Sequence, residues 1–345
     1  VPVLLFFLIG LAAAGIASGQ EPLRYICYRA SAAPVVDGRL DDAAWLLAPW
    51  TSYFVDIEGD RKPAPRFRTR VKMLWDDQAF YVAAEMEEPH VWATLTQHDA
   101  VICMDNDFEV FIDPDGDHHE YYELELNPFN TTWDLFLPKP YRDGGQAVNA
   151  WEIRGLRTAV HVDGTLNNPA DTDRGWSVEI ALPWEALREY ARRPSPPRDG
   201  DSWRVNFSRV EWKHRVVNGR YEKIPDTRED NWVWSPQGLI NMHYPEHWGY
   251  VQFSTRRQGE AAARPDPTAA ARRALLQIYY AQAEFRRKNK RWATPDELPA
   301  HSFWMTADGW RAETTARGAR ETDLRVAIRQ DSKIEVLVPK PGEIP

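Results

Sequence analysis

Carboxylates and tryptophans carry the chemical signal of this sequence. Where Phe108, Val110 and Ile112 alternate with polar residues, Glu109 must face the other side of a strand; where Tyr122, Leu124 and Leu126 alternate, Tyr121, Glu123, Glu125 and Asn127 do. Asn206, Ser208 and Trp212 share the corresponding face beside Val205 and Phe207. A polar strip bordered by an aromatic suits sugar recognition, because hydroxyls need paired donors and acceptors and the apolar face of the ring stacks on a flat surface. Taken singly, each of these residues fits a solvated sheet face equally well. Trp92, Trp133, Trp232, Trp234 and Trp248 fall in or beside predicted loops, and Trp232 and Trp234 share a face with Asp230. Each alone is also compatible with a core position. The candidate ligand set is therefore Glu109, Asn206, Trp212, Trp92, Trp133, Trp232, Trp234 and His243.

Other chemistries meet weaker patterns. Glu123 and Glu125, at i and i+2 on a strand, stand roughly 6.5–7 Å apart, near the spacing of an inverting glycosidase, yet they point the same way while catalytic carboxylates must flank a bond. Asp113, Asp115 and Asp117 are oxygen-rich enough for calcium, but the glycine falls fourth in the run, where the EF-hand loop has it sixth, and a plain hairpin turn accounts for the residues too. The adjacent His118 and His119 face opposite ways on an extended chain. Met73, Met86, Met104 and His98 are of the types that ligate haem, with no spacing rule to select them and no C-x-x-C-H. No Gly-rich phosphate loop and no G-x-S-x-G elbow occurs.

The elements that position these residues are strands. Period-2 alternation dominates from Cys27 to Ser254, and no long amphipathic helix interrupts it. Val71 to Met86 reads as a hairpin turning at Asp76-Asp77-Gln78, Phe108 to Leu126 as a second, and further strands are expected at 133–137, 176–182, 203–212 and 248–253. A mainly β fold follows, a two-sheet antiparallel sandwich of jelly-roll-like form, with long proline-bearing loops at 137–143 and 193–201. After an Arg/Ala/Pro linker at 255–268, Ala271, Leu275, Ile278, Tyr279, Gln282 and Phe285 form one stripe of a helix. Thr294-Pro295-Asp296-Glu297 has the form of a capping box, and short strands around 303–305, 324–328 and 333–338 complete a small α+β unit over 269–345.

Composition bounds the function. A net charge of -9 argues against nucleic acid as a partner, and the acidic excess lies upstream of Thr255, the remainder being basic. The uncharged stretch 1–20, ending with Ala17 and Gly19 at signal-peptidase spacing, reads as an export signal, with a retained anchor as the minority alternative; the mature form is expected to have no membrane span and to be secreted, periplasmic or at the cell surface. The only cysteines, Cys27 and Cys103, fit a disulfide and buried free thiols equally.

The run Val35-Val36-Asp37-Gly38-Arg39-Leu40-Asp41-Asp42-Ala43-Ala44-Trp45 and the strand Asp107-Phe108-Glu109-Val110-Phe111-Ile112-Asp113 resemble the family 9 carbohydrate-binding modules. Residues 175–184, 203–207 and 248–253 continue the resemblance in the family's order, so that it covers roughly 30–254. It implies an antiparallel β-sandwich over 21–254, no catalysis, structural calcium but no required cofactor, and recognition of the sugar ends of plant-type polysaccharides. Glu109 matches the family's sugar-contacting glutamate. The two tryptophans that clamp the ring in xylanase-linked members fall at Cys103 and Met242, so the known pocket does not carry over. The segment 274–282 faintly resembles the helix of pilin-like proteins without their apolar spine, and the C-terminal unit is expected to contact another protein.

Overall fold

The computed structural model describes residues 21–317 and 323–337; the expected export signal and residues 338–345 lie outside the described residues. In the main body the strands are β1 (Arg24–Arg29), β2 (Val55–Asp56), β3 (Thr69–Trp75), β4 (Ala79–Glu87), β5 (Asp107–Asp113), β6 (Tyr121–Leu126), β7 (Thr132–Leu137), β8 (Arg157–Asp163), β9 (Gly175–Pro183), β10 (Ser202–Glu211), the hairpin β11 (His214–Val217) and β12 (Arg220–Lys223), β13 (Asp230–Val233) and β14 (Gly249–Ser254). Apart from that hairpin they form one continuous sheet in the order β7-β6-β5-β10-β14-β1-β3-β4-β9-β8, with β13 bridging β10 to β2. Neighbours are antiparallel except at β1, which runs parallel to both β14 and β3.

The sheet curls because its two halves share an apolar face. Val71, Met73, Val82, Val178 and Ile180 from one half meet Val110, Ile112, Leu124, Val205 and Phe207 from the other in a single buried core, the inward set that alternation predicts. The mainly β sandwich is thus present. Strand β8, where alternation is weak, is a half-exposed edge. At the hairpin between β3 and β4, Asp76 Oδ1 accepts from the Gln78 and Ala79 amides, which closes the turn.

The segment that most strongly marks the family resemblance is a structural plug. Glu179 on β9 accepts from the Asp37 and Gly38 amides (2.9 and 2.8 Å) and from Trp45 Nε1 (2.5 Å), where Trp45 is buried in the short helix α1 (Ala43–Leu47). Gly38 has φ +87°, and a Cβ there would stand 2.6 Å from the His161 amide nitrogen, so no other residue fits. The helix α2 (Trp184–Ala191) follows β9 and closes one end of the core with Trp184 and Leu187.

The 255–268 stretch, expected to be a linker, is laid against the sandwich: the Arg264 amide donates to Gln252 Oε1 and the Gly259 amide to the Tyr28 hydroxyl. Helix α3 (Ala269–Asn289) then packs Leu275, Ile278 and Tyr279 on the antiparallel sheet β15 (Trp304–Thr306), β16 (Gly309–Arg317), β17 (Asp323–Arg329) and β18 (Ile334–Leu337). The Thr294–Glu297 capping box forms, on a 3-10 turn. Strand β16 had no sequence signal because its inward residues beyond Trp310 are the small Ala312 and Ala316. Both cysteines are free, Cys27 in the core and Cys103 half-buried in the turn before β5.

Candidate functional site

Strand register assembles the site. Glu109 on β5 stands opposite Glu125 on β6 and Ser208 on β10, and Glu125 stands opposite Trp133 on β7. Directly paired residues point to the same side of a sheet, so Trp133, Glu125, Glu109 and Ser208 form one row across four strands. Asp107 and Glu123, two positions along their strands, extend it.

This face turns away from the main core, yet it is not open water. Val233, Met242 and Trp248 lie against Phe111, Tyr121, Leu135 and Leu137 as a second apolar cluster. Over the Asp107 end, the Cys103 amide donates to Glu125 Oε2 (2.8 Å), Trp212 Nε1 donates to the Cys103 carbonyl (2.9 Å), and the Trp212 amide donates to Asn106 Oδ1 (2.8 Å). Glu109 is consequently only 5% exposed and Asp107 fully buried. At the rim stand the exposed Met104 and Tyr141, the latter packed edge-on against His243 with ring centres 4.5 Å apart.

Burial pushes the carboxyl groups of Asp107, Glu109, Glu123 and Glu125 upward, and nearby carboxylates push all four further. Glu109 reaches about 7: burial raises it, Ser208 pulls it down and Glu229 adds to the rise. No lysine or arginine is among the leading influences on any of the four. Asp107 Oδ2, Glu123 Oε2 and Trp133 Nε1 are buried without a hydrogen-bond partner, so acceptors and a donor stand ready side by side. A polyol supplies both complements.

Of the residues singled out from sequence, Glu109, Trp133, Trp212 and His243 come together here. Trp212 has one face taken by Lys223 Nζ, 3.7 Å from the ring centre. Asn206 shares the face but is spent: its Nδ2 donates to the Ser235 carbonyl (2.8 Å) and its Oδ1 accepts from the Ser235 amide (2.9 Å), fastening the covering loop, 234–248 between β13 and β14, to β10. Trp92, Trp232 and Trp234 correct the expectation of loop platforms. They are 2, 3 and 2% exposed, Trp232 and Trp234 in the main core and Trp92 against Tyr221 and His214, so no indole face is free. Trp248 is sealed in the second cluster. An indole in a turn segment is buried wherever the turn folds back over a sheet, because its apolar area favours that strongly. Sequence reasoning missed Asp107, which follows the same alternation as Glu109, and Tyr141, which lies in an irregular loop with no sequence signal.

The remaining candidates separate. Asp113, Asp115 and Asp117 bring oxygens within 4.8 Å of one another, but Lys333 Nζ already sits 3.0 Å from Asp117, and Asp113 accepts from the Gly116 and His118 amides. The same hairpin docks the C-terminal unit: His118 Nδ1 and His119 Nε2 donate to the Ser332 and Asp331 carbonyls. Met73 and Met86 are core residues and Met104 is exposed at the rim, and none of the three borders His98 to form a haem ligand pair.

The family described as "Carbohydrate family 9 binding domain-like" matches residues 36–198, the part that contributes Asp107, Glu109, Glu123, Glu125, Trp133 and Tyr141 but not β10 or the covering loop. Over 154 residues, 45% of this chain, the sequence is 25% identical to "Exoglucanase XynX" of Acetivibrio thermocellus and 24% identical to "Endo-1,4-beta-xylanase A" of Thermoanaerobacterium saccharolyticum. The match spans only 12% and 11% of the length of those two relatives. A solved carbohydrate binding module family 9 from Caldicellulosiruptor kristjanssonii, in complex with cellotriose, covers 70% of this chain and 100% of its own at 16% identity and a TM-score of 0.44. Residues 36–198 are thus similar to the carbohydrate family 9 binding domain-like family.

Proposed function

We propose that the sandwich binds carbohydrate without cleaving it, at the face built on β5, β6, β7 and β10. The observation that carries this reading is the row of buried carboxylates that form no ion pair among the described residues, beside the unpartnered Trp133 Nε1 and the partly exposed aromatic rims of Tyr141 and Trp212. Carboxylates accept from sugar hydroxyls, Trp133 donates to one, and the rings supply apolar contact. The family match over 36–198 supports the same ligand class. Hydrolysis is disfavoured by geometry: Asp107, Glu109, Glu123 and Glu125 all project from one face of the paired strands β5 and β6, whereas glycosidase carboxylates flank the scissile bond.

Export from the cell and an accessory role in glycan degradation complete the proposal. No helix among the described residues is long and apolar enough to cross a membrane, and the two relatives named above carry exoglucanase and xylanase descriptions. The test is an array of plant-type oligosaccharides followed by calorimetry on the best ligand. Glu109→Gln and Trp212→Ala should each lose on the order of 1–3 kcal/mol of affinity while the circular dichroism spectrum of the folded chain is kept. Absence of any array ligand refutes sugar binding, and reducing ends released from polysaccharide refute the non-catalytic reading.

A further inference from the structure

A second site lies where the curled sheet fails to close. Strands β7 and β8 end the sheet path without pairing, and between them opens a polar groove of about 310 Å³ lined by Asn130, Thr132, Asp134, Glu152 and Thr158, with His98 at its wall. Asn130 Nδ2 donates across the seam to the Thr158 carbonyl, while Asn130 Oδ1 is buried without a partner in the same groove.

The imidazole of His98 is fixed by its surroundings. Its Nδ1 stands 2.9 Å from the Thr132 carbonyl oxygen, which only accepts, so Nδ1 carries a proton. Nε2 then faces Glu152 Oε2 at 3.2 Å, Asp99 Oδ1 at 3.4 Å and Asp134 Oδ1 at 4.0 Å. A neutral ring would turn its lone pair onto carboxylates, an arrangement that requires a positive centre between them. Asp134 is held in place from behind, since its Oδ2 accepts from the Ile153 amide and leaves Oδ1 toward His98. Ligand atoms of His98, Asp99 and Asp134 all lie within 4.8 Å of one another, and the 3.4 and 4.0 Å from His98 Nε2 to Asp99 and Asp134 fall inside the limit of about 4.4 Å between two ligands of one ion bound at roughly 2.2 Å. A ring nitrogen anchored through its other N–H to a backbone carbonyl is the arrangement found behind metal-ligating histidines.

We propose that this groove binds a divalent transition metal of the zinc class through His98 Nε2, Asp134 and Asp99, with Glu152 as a fourth donor. One imidazole among carboxylates selects borderline ions such as zinc over calcium, which takes oxygen ligands alone. The groove is open to solvent, so water completes the shell. The site is independent of the carbohydrate face, whose floor is formed by other side chains.

Calorimetric titration of the chelator-treated full chain with zinc and, separately, with calcium tests this, with cobalt substitution as a spectroscopic readout. The expected result is one zinc per chain, a cobalt d–d spectrum, and weakening by more than about tenfold in His98→Gln and in Asp99→Asn. Asn tolerates the left-handed backbone that Asp99 adopts at φ 63°, so this variant keeps the loop. Melting of the metal-free variants should match that of the metal-free parent. Zinc binding that survives both substitutions, or calcium bound as tightly as zinc at this groove, overturns the proposal. So does the absence of zinc binding at millimolar metal, which leaves a protonated His98 as the positive centre.

Discussion

Strand β10 carries a buried charged cluster on each of its faces, and the two are solved differently. On the inward face Arg209 Nη2 lies 2.8 Å from Glu88 and 3.0 Å from Glu211, and its Nη1 donates to Thr69 Oγ1 and the Glu87 carbonyl, tying β10 to the opposite half of the sandwich. On the outward face Ser208 meets Glu109 among four carboxylates with no arginine in their midst. Burying a charge is tolerable when it is paired and costly when it is not. The first cluster is therefore a clamp closed by a cation, although burial and Glu88 still push the Glu211 carboxyl well above its usual range against the pull of Arg209, while the second, with no such cation, waits for protons or for a ligand. The Arg142–Glu246 pair, with contacts of 2.8 and 2.9 Å, belongs with the clamp: burial alone would raise Glu246, but the Arg142 charge holds it well below the usual carboxylate range.

The sharpest way to break this contrast is to remove the clamp. Arg209→Met leaves Glu88 and Glu211 buried without their cation and should cost about 3–5 kcal/mol in urea denaturation; a variant as stable as the parent would mean that the two clusters are alike. The opposite sign is expected on the other face. Glu109→Gln should gain on the order of 1–3 kcal/mol at pH 8, because a neutral amide replaces a carboxylate that burial disfavours.

The pH dependence follows from the same shift. With a folded value of about 7 against 4.5 for the free group, native Glu109 keeps its proton in a window where the unfolded chain has lost it. Its contribution to stability is therefore complete below about 4.5, falls as pH rises, and is gone above about 7. Denaturation midpoints of the parent across pH 4–8 should slope downward from this group, and the slope should shrink in Glu109→Gln. Glu246 works the other way, contributing above its unfolded value and losing that contribution only in strong acid. The smallest effect is expected at the rim, where Lys223→Met removes the cation over Trp212 and should lower stability by about 0.5–1 kcal/mol.

Much of the fold was legible because alternation is a local property. Phe108, Val110, Ile112, Tyr122, Leu124, Val205 and Phe207 all face the shared core as their spacing predicted, and the α3 stripe and the Thr294 cap came out in place. The site was legible in its direction but not in its depth. Alternation sends Glu109 and Asn206 away from the core, yet it says nothing of a covering loop, and so it could not distinguish an open strip from a floor with Asn206 tied to Ser235. The tryptophans failed for the same reason: Trp232 and Trp234 look like loop residues until the loop is folded onto the sheet.

By itself the sequence determined which residues alternate, which helix is amphipathic and, through the Asp37-Gly38 run and the Asp107–Asp113 strand, which family the segment resembles. Only the tertiary structure decided that β1 is parallel to both neighbours, that Glu179 receives Trp45, and that Arg209 compensates one acidic cluster while another is left without a cation. The physical reason is that period and turn chemistry act between residues close in sequence. Charge compensation depends instead on which distant side chain arrives within a few ångströms, as Glu88 does across the sandwich at Arg209.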